Sequence, residues 1–250
     1  GGSSLNITGQ ENVAHNVVLK VTEMTFWGGE KDDRIENYAA YGNIYGYDGN
    51  DTLINHNSIL SGVFGGNGDD TIISKKTTSK LETGLGNNTI YFESTENTTY
   101  DSKYKKFEGN NTIYINSSHH DFTAANNVSF AEKSNNTFYI NGDDNKIDSG
   151  SGNDSFIISG DNNTINCGDG NDYCLVLKGN NNTINGQGGN NNISNFGEGT
   201  ISPNFNNKPS TNTSTILPNH TDTITIDGKT YTSDDNGVVI VELEAGEHKV

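Results

Sequence analysis

A nine-residue pattern, Gly-Gly-x-Gly-x-Asp-x-apolar-x, returns along this 250-residue chain at a nearly constant interval. Its clearest copies are Gly65-Gly66-Asn67-Gly68-Asp69-Asp70-Thr71-Ile72-Ile73 and Cys167-Gly168-Asp169-Gly170-Asn171-Asp172-Tyr173-Cys174-Leu175. The sixth position falls at Asp33, Asp51, Asp70, Asn88, Asn111, Asn136, Asp154, Asp172 and Asn190. Most steps are 18 residues, one is 19, and the two flanking Asn111 are 23 and 25. A fixed period in this range belongs to a solenoid, in which each repeat buries its apolar face only by stacking on the next. The two longer steps read as insertions within a rung. They carry Glu93-Ser94-Thr95-Glu96 and Ser117-Ser118-His119-His120-Asp121-Phe122, which should bulge from the second turn side as loops.

Composition agrees with a thin core. Hydrophobic residues are 30% of the chain, well below the roughly 45–50% of ordinary globular domains. A two-walled solenoid needs only one or two inward side chains per strand. The expected fold is therefore all-β, a parallel β-solenoid of 18-residue rungs over residues 28–194. Residues 1–27 lack the repeat and read as a β-rich cap over the open end of the array. Residues 195–217 have the Asn, Ser, Thr and Pro content of a linker. In 218–250, Thr223–Ile226, Asp227-Gly228 and Lys229–Thr232 spell a hairpin. Asn236-Gly237 then leads into an apolar run, so the segment reads as a small C-terminal β element or part of a β-sandwich module.

The turns have the chemistry of a metal site. Glycine permits left-handed backbone and turns carbonyls inward, while the sixth-position Asp adds a carboxylate. Successive turns stacked roughly 4.8 Å apart would gather hard oxygen donors suited to Ca²⁺. Neither His nor Cys occupies these positions, which argues against zinc and copper. On these residues the chain resembles the RTX family, the hemolysin-type calcium-binding nonapeptide repeats. The resemblance covers residues 28–194 and is sharpest at 46–54, 65–73, 149–157 and 167–175. It implies a right-handed parallel β-roll with Ca²⁺ in the turns, secreted or displayed on a cell surface. The sixth-position Asn residues depart from the family pattern. They predict two calcium clusters, Asp33/Asp51/Asp70 and Asp154/Asp172, separated by a middle stapled by asparagine ladders. Asp48, Asp69 and Asp169 are adjacent candidates as ligands or as sources of field.

Strand alternation puts the eighth position and the residue two further on inward. Between them, two columns point outward. One is Thr52, Thr71, Thr89, Thr112, Thr137 and Ser155; the other is Ile54, Ile73, Tyr91, Tyr114, Tyr139, Ile157 and Leu175. An outer apolar strip of this length marks an interface. It is covered by the chain itself, or it binds a surface protein or a glycan through Tyr91, Tyr114 and Tyr139. Cys167 and Cys174 flank one turn and are either buried thiols or a disulfide.

The net charge of −17 argues against nucleic acid, whose binding is dominated by Lys and Arg. No apolar run approaches the length of a membrane span. Gly1-Gly2-Ser3-Ser4 resembles a fusion remnant or the start of an excised fragment, and export is inferred from the repeats alone. The reading is a non-catalytic, calcium-binding, adhesin-like β-roll. The alternatives are a polysaccharide lyase or epimerase of β-solenoid type, or its carbohydrate-binding module, and, as a minor one, an ice-binding solenoid. No His-Glu-x-x-His or Gly-x-Ser-x-Gly stretch is present.

Overall fold

The computed structural model describes residues 5–10, 12–20, 23–39, 41–56, 60–76, 80–94, 104–123, 128–195, 202–203, 223–226 and 229–232. These residues contain no helix, and their parallel sheets stack as a β-solenoid. One wall is a ten-stranded sheet running from Asn16–Leu19 to Asn192–Asn195. The rest is a seven-stranded sheet from Leu5–Thr8 to Val128–Phe130 and a five-stranded sheet from Asp121–Phe122 to Ser202–Pro203.

Registry is strict on the ten-stranded wall. Ile35, Leu53, Ile72, Ile90, Ile113, Phe138, Phe156 and Cys174 follow one another across paired strands, and all are buried. A slip by one residue would put this whole column in water. Each such side chain contributes about 1.5–3 kcal/mol by leaving solvent, so stability accrues rung by rung.

Opposite the continuous ten-stranded wall, the seven-stranded and five-stranded sheets overlap inside one rung. Between Thr112–Ile115 and Thr137–Ile140 the chain gives Asp121–Phe122 to the five-stranded sheet, paired with Lys146 and Ile147. It then gives Val128–Phe130 to the seven-stranded sheet, paired with Lys105–Phe107. Aromatic residues fill this junction. Phe122 meets Phe92 at 5.0 Å, Phe107 at 6.2 Å and His120 at 5.4 Å between ring centroids, and the Lys105 ammonium lies 5.6 Å from its ring centre. The expectation that Ser117–Phe122 bulge outward is therefore corrected. Both His120 and Phe122 are buried, and the His120 N–H donates to Asn145 Oδ1 at 2.9 Å. Only His119 of the His pair is exposed, near Asp144 at 3.6 Å.

The N-terminal segment, expected as a β-rich cap, supplies the end strands of two sheets. Leu5–Thr8 pairs in register with Met24–Trp27, and Asn16–Leu19 with Arg34–Asn37. The segment is itself a rung, built without the glycine motif, with His15 in the column of sixth-position residues. The hairpin Thr223–Ile226/Lys229–Thr232 is antiparallel, as its Asp-Gly turn predicts. The further strand expected at residues 238–243, and most of 195–217, lie outside the described residues. Within that stretch, Ser202–Pro203 still pairs with Thr183 and Ile184 of the solenoid.

Candidate metal centre

The sixth-position residues form one buried column along the first turn side. Except at Asn111, whose buried Oδ1 has no hydrogen-bond partner, these Oδ1 atoms accept the backbone N–H of the equivalent one rung earlier: His15 N to Asp33 at 2.6 Å, Asp33 N to Asp51 at 2.7 Å, Asp51 N to Asp70 at 2.9 Å, Asp70 N to Asn88 at 2.9 Å. The ladder resumes with Asn111 N to Asn136 at 3.2 Å, Asn136 N to Asp154 at 2.6 Å, Asp154 N to Asp172 at 2.9 Å and Asp172 N to Asn191 at 2.9 Å. Asp and Asn are interchangeable here because both carry the Oδ1 acceptor. The last rung corrects the sequence assignment. The chain gains one residue between Val176 and Gly179, since Ile158 pairs with Val176 but Thr164 already pairs with Thr183, so Asn191, part-buried, continues the column. Asn190 belongs instead to a second, exposed ladder of fifth-position residues, its N–H donating to Asn171 Oδ1 at 2.8 Å.

What separates Asp from Asn is the second side-chain atom. In Asn rungs the amide donates to nearby oxygens: Asn88 Nδ2 to the Gly84 carbonyl at 3.1 Å, Asn111 Nδ2 to Gly109 at 3.0 Å, Asn136 Nδ2 to Ser134 Oγ at 3.1 Å. In Asp rungs an acceptor stands where the donor would be. Oδ2 of Asp51, Asp70, Asp154 and Asp172 is buried with no hydrogen-bond partner. The crowding is tightest over the motif's first glycine. A Cβ added at Gly46 would lie 2.1 Å from Asp51 Oδ2 and 2.5 Å from the Gly65 carbonyl oxygen, and one at Gly65 would lie 2.4 Å from Asp70 Oδ2 and 2.1 Å from the Thr83 carbonyl. Carboxylate and carbonyl oxygens thus converge on one spot with no donor between them. Burial pushes Asp51, Asp70 and Asp172 up to about 7, and raises Asp154 as well.

Asp33 is set apart from the others. Its Oδ2 accepts the Gly29 N–H at 2.9 Å and its Oδ1 meets His15 Nδ1 at 2.8 Å, so both oxygens are satisfied. Asp48, Asp69 and Asp169 stand exposed on the outer side of the turns. Asp48 takes Asn67 Nδ2 at 2.8 Å and Asp69 takes the Asn87 N–H at 2.7 Å. They share no cage with the inward carboxylates, and no three acidic, His or Cys side chains converge among the described residues. The donor set on offer is one carboxylate oxygen with backbone carbonyls. Those are hard ligands that fit Ca²⁺ and give a zinc ion nothing to prefer.

The outer column is in register from Ile54 through Tyr91, Tyr114 and Tyr139 to Leu175, but Ile54, expected to face outward, is buried and only Ile73 onward is part-exposed. The three tyrosines stack on one another, Tyr91–Tyr114 and Tyr114–Tyr139 each at 4.7 Å and 8°. Their faces are spent on each other, leaving ring edges and hydroxyls to a partner. A second stack, which the sequence reading passed over, stands on the seven-stranded sheet. Trp27, Tyr45 and Phe64 pair in register, with ring planes within 10° and centroids 6.1 and 4.4 Å apart. The steps of 18 and 19 residues between them repeat those between Asp33, Asp51 and Asp70, which is the signal that could have found it.

Cys167 and Cys174 are buried and unbridged, with Sγ atoms 3.4 Å apart. The Cys167 contact, with burial, raises the Cys174 thiol well above its ordinary range. Ellman's reagent should therefore find no thiol in the folded protein and two after denaturation. None in either state would reveal an oxidised pair.

No protein-family model, curated protein or solved structure matches this chain.

Proposed function

We propose that the chain is a non-catalytic, RTX-like β-roll of a secreted or cell-surface protein, stabilised by Ca²⁺ and adhesive or structural in role. The carrying observation is the set of unpartnered buried Oδ2 atoms at Asp51, Asp70, Asp154 and Asp172. They lie in two groups, Asp51/Asp70 and Asp154/Asp172; Asp33, expected in the first, has both oxygens satisfied and stands outside it. Asp51 and Asp70 would hold a cation with carbonyl oxygens of the adjoining rungs, and Asp154 and Asp172 would do so in the second group. A bound divalent ion supplies the positive charge that each carboxylate–carbonyl pair lacks. The chain's own part is to hold each carboxylate by its Oδ1 ladder bond, so that Oδ2 is oriented before any ion arrives.

The net charge of −17 adds self-repulsion that cation uptake relieves. A site of this kind, empty at low calcium and filled at millimolar calcium outside a cell, couples folding to export by mass action. The strip from Ile73 to Leu175 is the place for an adhesive contact. It suits a flat protein surface better than a stacked sugar, because the tyrosine faces are already taken.

The test is a calcium titration followed by circular dichroism and thermal melting, with EDTA and magnesium as controls. The expected result is a calcium-specific rise in melting temperature of about 10 °C or more, which corresponds to roughly 3–5 kcal/mol for a chain of this size. Equal stability in EDTA, calcium and magnesium at neutral pH would sink the reading.

A further inference from the structure

At the N-terminal end of the solenoid a cavity of about 460 Å³ opens between the first turns, lined by Trp27, Tyr47, Glu30, Asp48, Thr8 and the Gly28–Gly29 backbone. Its position follows from the aromatic stack. Trp27 has Tyr45 on one side, 6.1 Å away and 8° from parallel. On the other side its register partner is Thr8, too short to cover an indole. One indole face therefore looks into the cavity. Tyr47 stands beside it, 52% exposed, its ring 6.2 Å from Tyr45 and tilted by 32°.

Tyr47 holds this place against a backbone cost. It occupies the second-glycine position of its turn, in register with Gly29 and Gly66, and has φ +80°. Most of the other non-glycine residues with positive φ are Asn, Asp or His, at φ of 56° to 64°, types that tolerate the left-handed region. A bulky aromatic residue there is strained, and strain of this kind collects at ligand sites. No fold requirement explains it, since glycine serves the neighbouring rungs.

The polar part of the lining is acidic. Glu30 and Asp48 are exposed carboxylates, and one Asp48 oxygen already takes Asn67 Nδ2 at 2.8 Å. Among the described residues no Lys, Arg or His lines the cavity. Carboxylates accept hydrogen bonds and do not donate them. Thr8, Tyr47 and Trp27 add neutral donors, so hydrogen bonding alone does not separate a sugar from a cation; the unbalanced charge of the two carboxylates does. A cation lying on an aromatic face between two carboxylates is well matched, and the net charge of −17 favours its approach.

We propose that this cavity binds an organic cation of the alkylammonium class, with a trimethylammonium group against Trp27 and Tyr47 and its charge balanced by Glu30 and Asp48. The cavity adjoins the carboxylate column at Asp33, which takes the Gly29 N–H, and uses none of the unpartnered carboxylates.

Trp27 is the sole tryptophan of the chain, so its fluorescence reports on this cavity alone. Choline chloride would be titrated at saturating calcium, which holds the fold whether or not calcium is needed. Methyl glucoside and 3,3-dimethyl-1-butanol, the uncharged isostere of choline, would be titrated in parallel. The expected result is a saturable change with choline that weakens as salt rises, with both neutral compounds inert. Tyr47→Gly should reduce choline affinity at least tenfold while its melting temperature stays equal or rises, because the strain is removed. Asp48→Asn should weaken choline binding in the same direction. Vesicles of phosphatidylcholine, compared with phosphatidylglycerol, then tell a lipid headgroup from a free cation. No response to choline, an equal response to either neutral compound, or unchanged affinity in Tyr47→Gly would overturn the proposal.

Discussion

Phe122→Ala should destabilise the solenoid by about 3–5 kcal/mol, the usual cost of removing a buried phenylalanine, and lower its melting temperature by roughly 10 °C or more. The position makes the loss larger than its area suggests. Phe122 is fully buried where one rung feeds both the seven-stranded and the five-stranded sheet, and it touches Phe92, Phe107 and His120 together. A solenoid's stability is a sum of rung terms and nearest-neighbour interfaces, so a weak interface divides the array. The N-terminal rungs are covered by Trp27 fluorescence and the C-terminal rungs by thiol exposure at Cys167 and Cys174. In the parent protein the two probes should report one transition; in Phe122→Ala they should separate. Phe122→Leu, which keeps most of the volume, should lose less than half as much and keep the probes together. A shift in Phe122→Ala below about 3 °C, with coincident probes, would show that the junction does not couple the two halves.

Much of this architecture is legible in the sequence, because the period does the arithmetic that tertiary contacts usually hide. Once Asp51 and Asp70 are one rung apart, Leu53 must lie on Ile72 and Ile54 on Ile73, and both pairs do. The rungs of Asp51, Asp70, Asp154 and Asp172 do end with an unpartnered oxygen, but so does that of Asn111, and that of Asp33 does not. What the period cannot show is a rung that keeps the stacking and drops the motif. Leu5–Leu19 is such a rung, since backbone pairing and one buried column need neither glycine nor Asp. Single-residue bulges are equally silent. One added residue between Val176 and Gly179 moves the last ladder member from Asn190 to Asn191, and in the run Asn190-Asn191-Asn192 no side chain distinguishes the two registers. Ser117–Phe122 reads as a loop because it interrupts the spacing, yet Phe122 returns to the core and His120 takes a ladder place. The site was legible as a set of residues and not as a cage. The sixth-position side chains turn inward and the fifth-position ones outward, which parts Asp70 from Asp69 although they adjoin in sequence.

In metal-free buffer, stability should fall as pH rises from about 4 to about 7 and level off above. Asp51, Asp70 and Asp172 titrate near 7 in the folded state, against 3.8 for an ordinary Asp. Between those values the unfolded chain has released protons that the folded chain still holds, so folding is opposed more strongly with each step upward in pH. Below 3.8 both states are protonated and the full stability is present. Each carboxylate contributes on the order of 2–4 kcal/mol to the fall. The slope has a structural meaning. A protonated Oδ2 can donate to a nearby carbonyl as Asn88 Nδ2 does to Gly84, whereas an ionised one meets that oxygen unpaired. Asp70→Asn puts the amide in place permanently and extends the asparagine ladder by one rung, since Asn88 already accepts the Asp70 N–H. In EDTA at pH 8 this variant should be more stable than the parent by about 2 kcal/mol, with a shallower pH slope and a smaller gain on adding calcium. The three readouts separate the roles. A loss of stability in EDTA would mean that Oδ2 has a partner the column does not reveal. A gain in EDTA with an undiminished calcium response would place the ion elsewhere in the chain. The gain and the reduced response together would identify the buried carboxylate column as the element that calcium, or a proton, completes.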